Sequence, residues 1–152
     1  MNKRMAIGVL SLSAAGLVAI LNFEGFSETA YVPVPGDVPT IGFGTTEGVK
    51  IGDRITPEEA IDRAYEDIKE TEAAIKRCVK VPLSQGEFDA FVSLAYNIGG
   101  RAFCRSTLVK KLNAGDYEGA CNEIKRWVYA GEKKVDGLVN RRNVEFSFCI
   151  KE

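Results

Sequence analysis

A chain of 152 residues, 45% hydrophobic and 27% charged, has the length of one ordinary domain with a real core and the composition of a folded soluble protein. Its formal net charge of −1 conceals an asymmetry, because residues 24 to 100 carry 7 Lys and Arg against 14 Asp and Glu while residues 101 to 152 carry 11 against 7; an excess of this size is more often a solvated face than a site for an anionic polymer. The sequence holds no histidine, which excludes Ser-His-Asp and Cys-His nucleophile systems and His-ligated zinc hydrolases, and it holds no GxxxxGK[ST] phosphate loop.

In chain order, the first feature is Met5 to Phe23, an uncharged run of 19 residues behind Lys3 and Arg4. As one helix rising 1.5 Å per residue it reaches about 28 Å, barely the thickness of a bilayer's hydrocarbon core. Gly8, Ser11, Ser13, Ala14, Ala15, Gly16 and Ala19 make it weakly apolar, so the expected N-terminal apolar helix should enter a membrane and be able to leave it. A cleaved signal peptide, a permanent anchor and a plain buried helix compete. The basic residues in front favour export, and no small-x-small cleavage site follows the run before Glu24.

From Thr29 to Gly52 the chain is rich in Gly, Pro, Thr and Val, which predicts a small β-hairpin region. Thr56-Pro57-Glu58-Glu59 is a capping box with Pro at the first helical position, opening a long charged helix to about Val79. Ser84-Gln85-Gly86-Glu87 opens an apolar helix through Phe88, Phe91, Val92 and Ala95 that stops at Gly99-Gly100. Ser106 caps a short helix ending near Gly115, another carries Ile124, Trp127 and Val128 up to Gly131, and a last one starts at about Val139. The layout predicts an α+β protein with a small β lobe and a helical lobe. Cys78, Cys104, Cys121 and Cys149 are even in number and contain no CxxC pair. They suit two disulfides in an oxidising compartment better than a zinc site, and their spacing leaves all the pairings open.

With imidazole gone, hydrolysis falls to carboxylates, whose commonest substrate is the glycosidic bond. Glu24-Gly25, Tyr31 seven residues after the glutamate, and Pro39-Thr40-Ile41-Gly42-Phe43-Gly44-Thr45-Thr46 resemble the active-site signature of the phage-type lysozymes, glycoside hydrolase family 24. LSQGEFDAFVSLAYNIG (83 to 99), STLVKKLNAGDY (106 to 117) and RWVYAGEKKVDGLVNRR (126 to 142) continue the match in order. The resemblance implies a two-lobed lysozyme-like fold. It also implies a muramidase that hydrolyses the β-1,4 bond between N-acetylmuramic acid and N-acetylglucosamine, an endolysin for host cell lysis.

By that resemblance Glu24 is the general acid, and Thr40 is the catalytic threonine that helps hold the attacking water. A general acid has to keep its proton near neutral pH, which takes partial burial or neighbouring negative charge. One departure matters: the family usually has an aspartate nine residues after the glutamate, where this chain has Pro33. Asp37, thirteen positions after Glu24 and three before Thr40, is the acid left between Thr29 and Thr40 and is expected to supply the second carboxylate. Its alternative is an ordinary turn aspartate in Pro35-Gly36-Asp37, which would leave one acid and suit a lytic transglycosylase on the same bond. A wall-binding protein that keeps the fold without catalysis is a further alternative.

Tyr31 and Asn97 are expected on the substrate side, and Arg141 or Arg142 are expected to pair with Glu24 or with the sugar's acetamido and lactyl groups, with surface solvation as the alternative. Trp127 and Phe88 read as core. The family comparison pairs Cys121 with Cys149 and so Cys78 with Cys104. The uncleaved apolar run further resembles the signal-anchor-release endolysins. The division that follows is a signal-anchor-release segment at residues 1–23 and a lysozyme catalytic domain at 24–152. No cofactor, metal or nucleic acid is expected; the partners are peptidoglycan glycan strands and, before release, the inner membrane through residues 5–23. A monomer exported to the host periplasm, first tethered and then released, completes the expectation.

Overall fold

The computed structural model describes residues 3–151. Residues 1 and 2 of the expected anchor segment and residue 152 of the expected catalytic domain lie outside the described residues. The chain forms two compact units, one made of Leu17–Glu70 and the other of the chain up to Gly16 together with that from Thr71 onward.

In the Leu17–Glu70 unit, β1 (Ser27–Tyr31) and β2 (Thr40–Gly42) run antiparallel, with Tyr31 opposite Thr40 and Ser27 opposite Gly42. The register is irregular between those two pairs, which bends the longer strand around the shorter one. The pair covers a small core of Ile41, Val49, Ile55 and Ala60, on which Ala30 and Phe43 pack. Helix α1 (Ala14–Glu24) enters this unit and helix α2 (Pro57–Cys78) leaves it. Helix α2 starts where its sequence says: Glu59 N–H donates to Thr56 Oγ1 at 3.2 Å and Thr56 N–H donates to Glu59 Oε2 at 3.0 Å, each satisfying a donor that the first helical turn leaves unpaired.

The other unit is helical. Helix α3 (Gln85–Ile98) opens on the reciprocal Ser84 and Glu87 capping box and closes at Gly99, whose φ is +93°. It is buried from Glu87 to Ala95, as befits a helix surrounded on several sides, and it packs on α7 (Asp136–Cys149). Between them come α4 (Gly100–Arg105), α5 (Thr107–Asn113) and α6 (Tyr117–Glu123). The Phe91 and Phe103 rings meet at 5.9 Å between centroids, tilted by 48°. Disulfides join Cys78 to Cys104 and Cys121 to Cys149, with Cα atoms 5.6 and 5.8 Å apart.

Three sequence expectations are corrected. Gly100 opens the six-residue α4 instead of ending the helical run. The expected helix through Trp127 and Val128 stops earlier: α6 ends at Glu123, a single 3-10 turn covers Ile124–Arg126, and the chain then forms the hairpin of β3 (Tyr129–Ala130) and β4 (Lys133–Lys134). Its base is closed by Val135 N–H donating to Val128 O at 2.9 Å. Helix α7 consequently begins at Asp136, ahead of the expected Val139.

The third correction concerns the apolar run. It is not one helix: Met5 exchanges backbone hydrogen bonds with Leu83 at 2.8 and 2.9 Å, Ile7–Val9 forms a 3-10 turn, and α1 begins only at Ala14. Among the described residues no helix is long and apolar enough to cross a membrane. The break has a chemical cause. Ser13 Oγ caps α1 by accepting from Gly16 N–H at 3.1 Å, and Asp89 accepts from both the Ser13 N–H, at 3.0 Å, and its hydroxyl. Leu12 N–H donates to Glu72 at 2.7 Å, and Arg4 forks onto Glu87 while stacking 3.5 Å from the centroid of the Tyr117 ring. A Cβ at Gly16 would sit 3.0 Å from Asp89 Cγ, so glycine here permits the approach of the buried carboxylate.

Asp89 therefore satisfies an interruption that lipid could not. Asp89→Ala is expected to lower the unfolding free energy in urea by about 2–3 kcal/mol, whereas Glu72→Gln, which still accepts from Leu12, should stay within about 1 kcal/mol of the parent.

Candidate active site

Glu24 is the last residue of α1, half-buried, and the helix stops because Gly25 takes φ +66° while its N–H closes on Leu21 O at 3.1 Å. The side chain is thus presented by a rigid helix end just before β1. It meets the turn that follows β2: a Cβ added at Gly44 would lie 3.0 Å from Glu24 Oε2 and 3.5 Å from its Cδ. Gly44 has φ +90°, so both backbone conformation and space restrict this position to glycine. The turn is closed by Ile41 and Thr45, which exchange backbone hydrogen bonds at 2.9 and 3.0 Å.

Thr40, opposite Tyr31 across the strand pair, is buried, and its hydroxyl donates to Val38 O at 3.3 Å. That direction of donation leaves the Oγ1 lone pairs as acceptors. Tyr31 is exposed at the end of β1. Asp37 is exposed in the loop between the strands, just after the turn in which its own N–H donates to Val34 O at 2.9 Å; Asp37 Oδ1 accepts from Val38 N–H, also at 2.9 Å. Asp37 therefore has the local backbone bond of a turn aspartate, and its carboxylate still faces water.

The helical unit holds the other residues singled out from sequence. Asn97 is exposed near the end of α3, but Gly99 closes that helix, not Asn97. Its Oδ1 accepts from Arg142 Nη2 at 2.8 Å. Surface solvation does not describe Arg141 and Arg142, which are 4% and 1% exposed. Both belong to a buried network around Glu145, one and nearly one turn further along α7: Arg141 Nε at 3.1 Å, Arg142 Nε at 2.7 Å and the Ser93 hydroxyl at 2.6 Å. Arg141 also donates to Ser93 O at 3.1 Å and Arg142 to Trp127 O at 3.2 Å. Burial pushes the Glu145 carboxyl above the ordinary glutamate range, against Arg142, Ser93 and Arg141, which pull it down. Phe88 is fully buried, as a core residue should be.

Sequence reasoning passed over Glu145 and the Asp67 carboxylate that accepts from Thr45. Glu145 had a readable signal, since residues three and four before it on a helix are both arginines.

The phage lysozyme family model matches residues 21–145. The chain is 42% identical over 140 residues to an endolysin of Acyrthosiphon pisum secondary endosymbiont phage 1, a match covering 90% of this chain and 95% of that one. It is 39% identical over 155 residues to the SAR-endolysin of Pseudomonas phage phiKMV, covering 99% and 94%. Among solved structures, the endolysin from Escherichia coli O157:H7 phage FAHEc1 aligns with a TM-score of 0.83 at 40% identity, over 95% of this chain and 96% of that one.

The Glu145 network sets a stability test. Glu145→Ala would leave two buried guanidiniums without their shared anion and is expected to cost about 3–5 kcal/mol, read as a lower midpoint in guanidinium denaturation.

Proposed function

Because this chain belongs to the phage lysozyme family, we propose that it is an endolysin: a muramidase that hydrolyses the β-1,4 bond between N-acetylmuramic acid and N-acetylglucosamine in peptidoglycan, with Glu24 as general acid. The observation that carries this reading is the half-buried Glu24 carboxylate at a helix end, held against a glycine whose enlargement would press on it. A carboxyl so placed is partly desolvated and oriented before substrate arrives.

In the reaction Glu24 gives its proton to the glycosidic oxygen as the C1–O bond breaks, freeing the 4-hydroxyl of the departing sugar. A water oxygen bonds to C1. Thr40 accepts a hydrogen bond from the O–H that the water keeps, and Asp37 takes the one proton the water releases, which is the division of labour expected when two carboxyls act across a bound water. Tyr31 and Asn97, both exposed, serve glycan binding, while Arg141 and Arg142 are buried on Glu145 and Arg142 holds Asn97 by donating to its Oδ1.

The Asp37 bond to Val38 N–H favours a second reading in which Asp37 only shapes the loop. Glu24 would then act alone, and the product would be the anhydro sugar of a lytic transglycosylase.

The membrane belongs to the same proposal. The weakly apolar run and the SAR-endolysin relative support a precursor exported to the periplasm and tethered through residues 5–23. Its released form is the one in which Arg4, Leu12 and Ser13 are captured by Glu87, Glu72 and Asp89.

On purified sacculi, Glu24→Gln is expected to lower turnover about a thousandfold. Gly44→Ala should lower it about 10- to 100-fold, because the added methyl displaces the acid. Asp37→Asn should abolish turnover with hydrolytic products in the parent; near-parent turnover together with anhydro products would move the assignment to the single-acid reading. For tethering, membrane-embedded protein should leave sacculi intact that the released protein dissolves, and equal rates would remove the regulatory part.

A further inference from the structure

Glu24 is delivered by its helix, but the turn it faces has to be held by something else. The Ile41–Thr45 pair closes that turn, yet a two-residue backbone bridge at the end of a three-residue strand fixes little by itself. Phe43 packs on the small core and meets the Phe26 ring, and an oriented tie is added by Thr45 Oγ1, which donates at 2.9 Å to Asp67 Oδ2 on α2. Thr45 is 4% exposed, and its backbone adjoins Gly44.

Asp67 is not placed where a carboxylate is comfortable. Burial pushes it above the ordinary aspartate range, with Glu47 and Glu66 acting the same way and Thr45 and Arg63 opposing. It lines a surface cavity of about 520 Å³ with Glu47, Asp62, Arg63 and Glu66. An apolar pair at 45 and 67 would avoid that desolvation, so mere packing does not explain an acid here. What an apolar pair cannot provide is direction. An oriented bond fixes where Thr45, and with it Gly44, stands.

We propose that Asp67 is a positioning residue for catalysis: through the Thr45 hydroxyl it holds the Gly44 turn against the Glu24 carboxylate. The proposal rests on Glu24 being the general acid. Asp67 touches neither substrate nor reacting atoms in this role, so its loss should act on turnover and leave saccharide binding alone.

The test uses the released full-length enzyme on soluble peptidoglycan fragments, with kcat and KM measured separately and thermal unfolding recorded for each variant. Asp67→Ala and Thr45→Val are expected to lower kcat about 10- to 30-fold with KM within about twofold of the parent, the pattern of an interaction realised in the transition state. The double variant should be no worse than either single one, because both remove one bond. Asp67→Asn, whose amide oxygen still accepts from Thr45, and Thr45→Ser, which still donates, should remain within about threefold of the parent.

Thr45→Val keeps the side-chain shape and so reports even where Asp67→Ala unfolds. Parent-like kcat in folded Thr45→Val, or a loss in Asp67→Asn as large as in Asp67→Ala, would overturn the proposal. Glu24→Gln in the same assay separates the two readings. If it keeps parent turnover, the general-acid assignment fails; if it is inactive while Thr45→Val is not, only the role of Asp67 does.

Discussion

Buried polar backbone must be satisfied wherever it lies, and the N-terminal run shows what that requirement does to a segment of nearly pure hydrocarbon. Between the Met5 bridge and the first turn of α1 the chain is extended or in a 3-10 turn, so it leaves N–H groups that no regular helix pairs. Glu72 and Asp89 accept from them, and Glu87 takes the Arg4 guanidinium. Three carboxylates thus capture a stretch whose side chains alone would not say where to stop. The helix that follows begins at the capped Ser13 and ends on Glu24, so the register of that capture is also the register of the proposed acid. In the proposed tethered state the same donors would stay paired within one helix, and in the folded protein acids on another part of the chain accept from those that the break exposes.

How much could be read beforehand follows from the range of the interactions. The capping boxes at Thr56 and Ser84 are complete within four residues, and the helix stop at Gly99 needs only its own φ, so those features were legible. The break in the apolar run was not, because its cause is Asp89, far along the chain from Ser13. The sequence shows Ser13 and Gly16 as a loss of hydrophobicity. The structure uses the first as a cap and the second as clearance for a carboxylate. The same holds for the hairpin after Trp127, whose strands are too short to carry a two-residue period and whose base is closed by Val128 and Val135.

The site divides in the same way. Glu24 and Thr40 lie inside a short motif, which is why the sequence singles them out. Arg141 and Arg142 were expected either to meet the substrate or Glu24 or to be solvated, and their burial was not foreseen because Glu145, the group that allows it, was not singled out. Asp37 was chosen because Pro33 stands where the family usually has its acid, and its carboxylate accepts from the adjacent Val38 N–H as a turn aspartate does. Thr45 stands inside the quoted motif, but its pairing with Asp67 gave no signal: they are 22 residues apart and belong to a turn and a long charged helix.

Both disulfides belong to the mainly helical unit, closing spans of 26 and 28 residues, each worth about 3.5 kcal/mol if unfolded-chain entropy is the source. The Leu17–Glu70 unit has no such staple among its described residues and buries only a handful of apolar side chains. Dispersion and area are weak at fixing the direction of a loop even where they are plentiful, and here they are scarce. A unit of this kind has to hold its turns with oriented bonds, at the expense of some stability from desolvated acids. That is the setting in which a half-buried aspartate facing a threonine makes sense. The bond adds little to the free energy of folding, yet it selects one position of the Gly44 turn among several that the small core would tolerate, and the chemistry needs one.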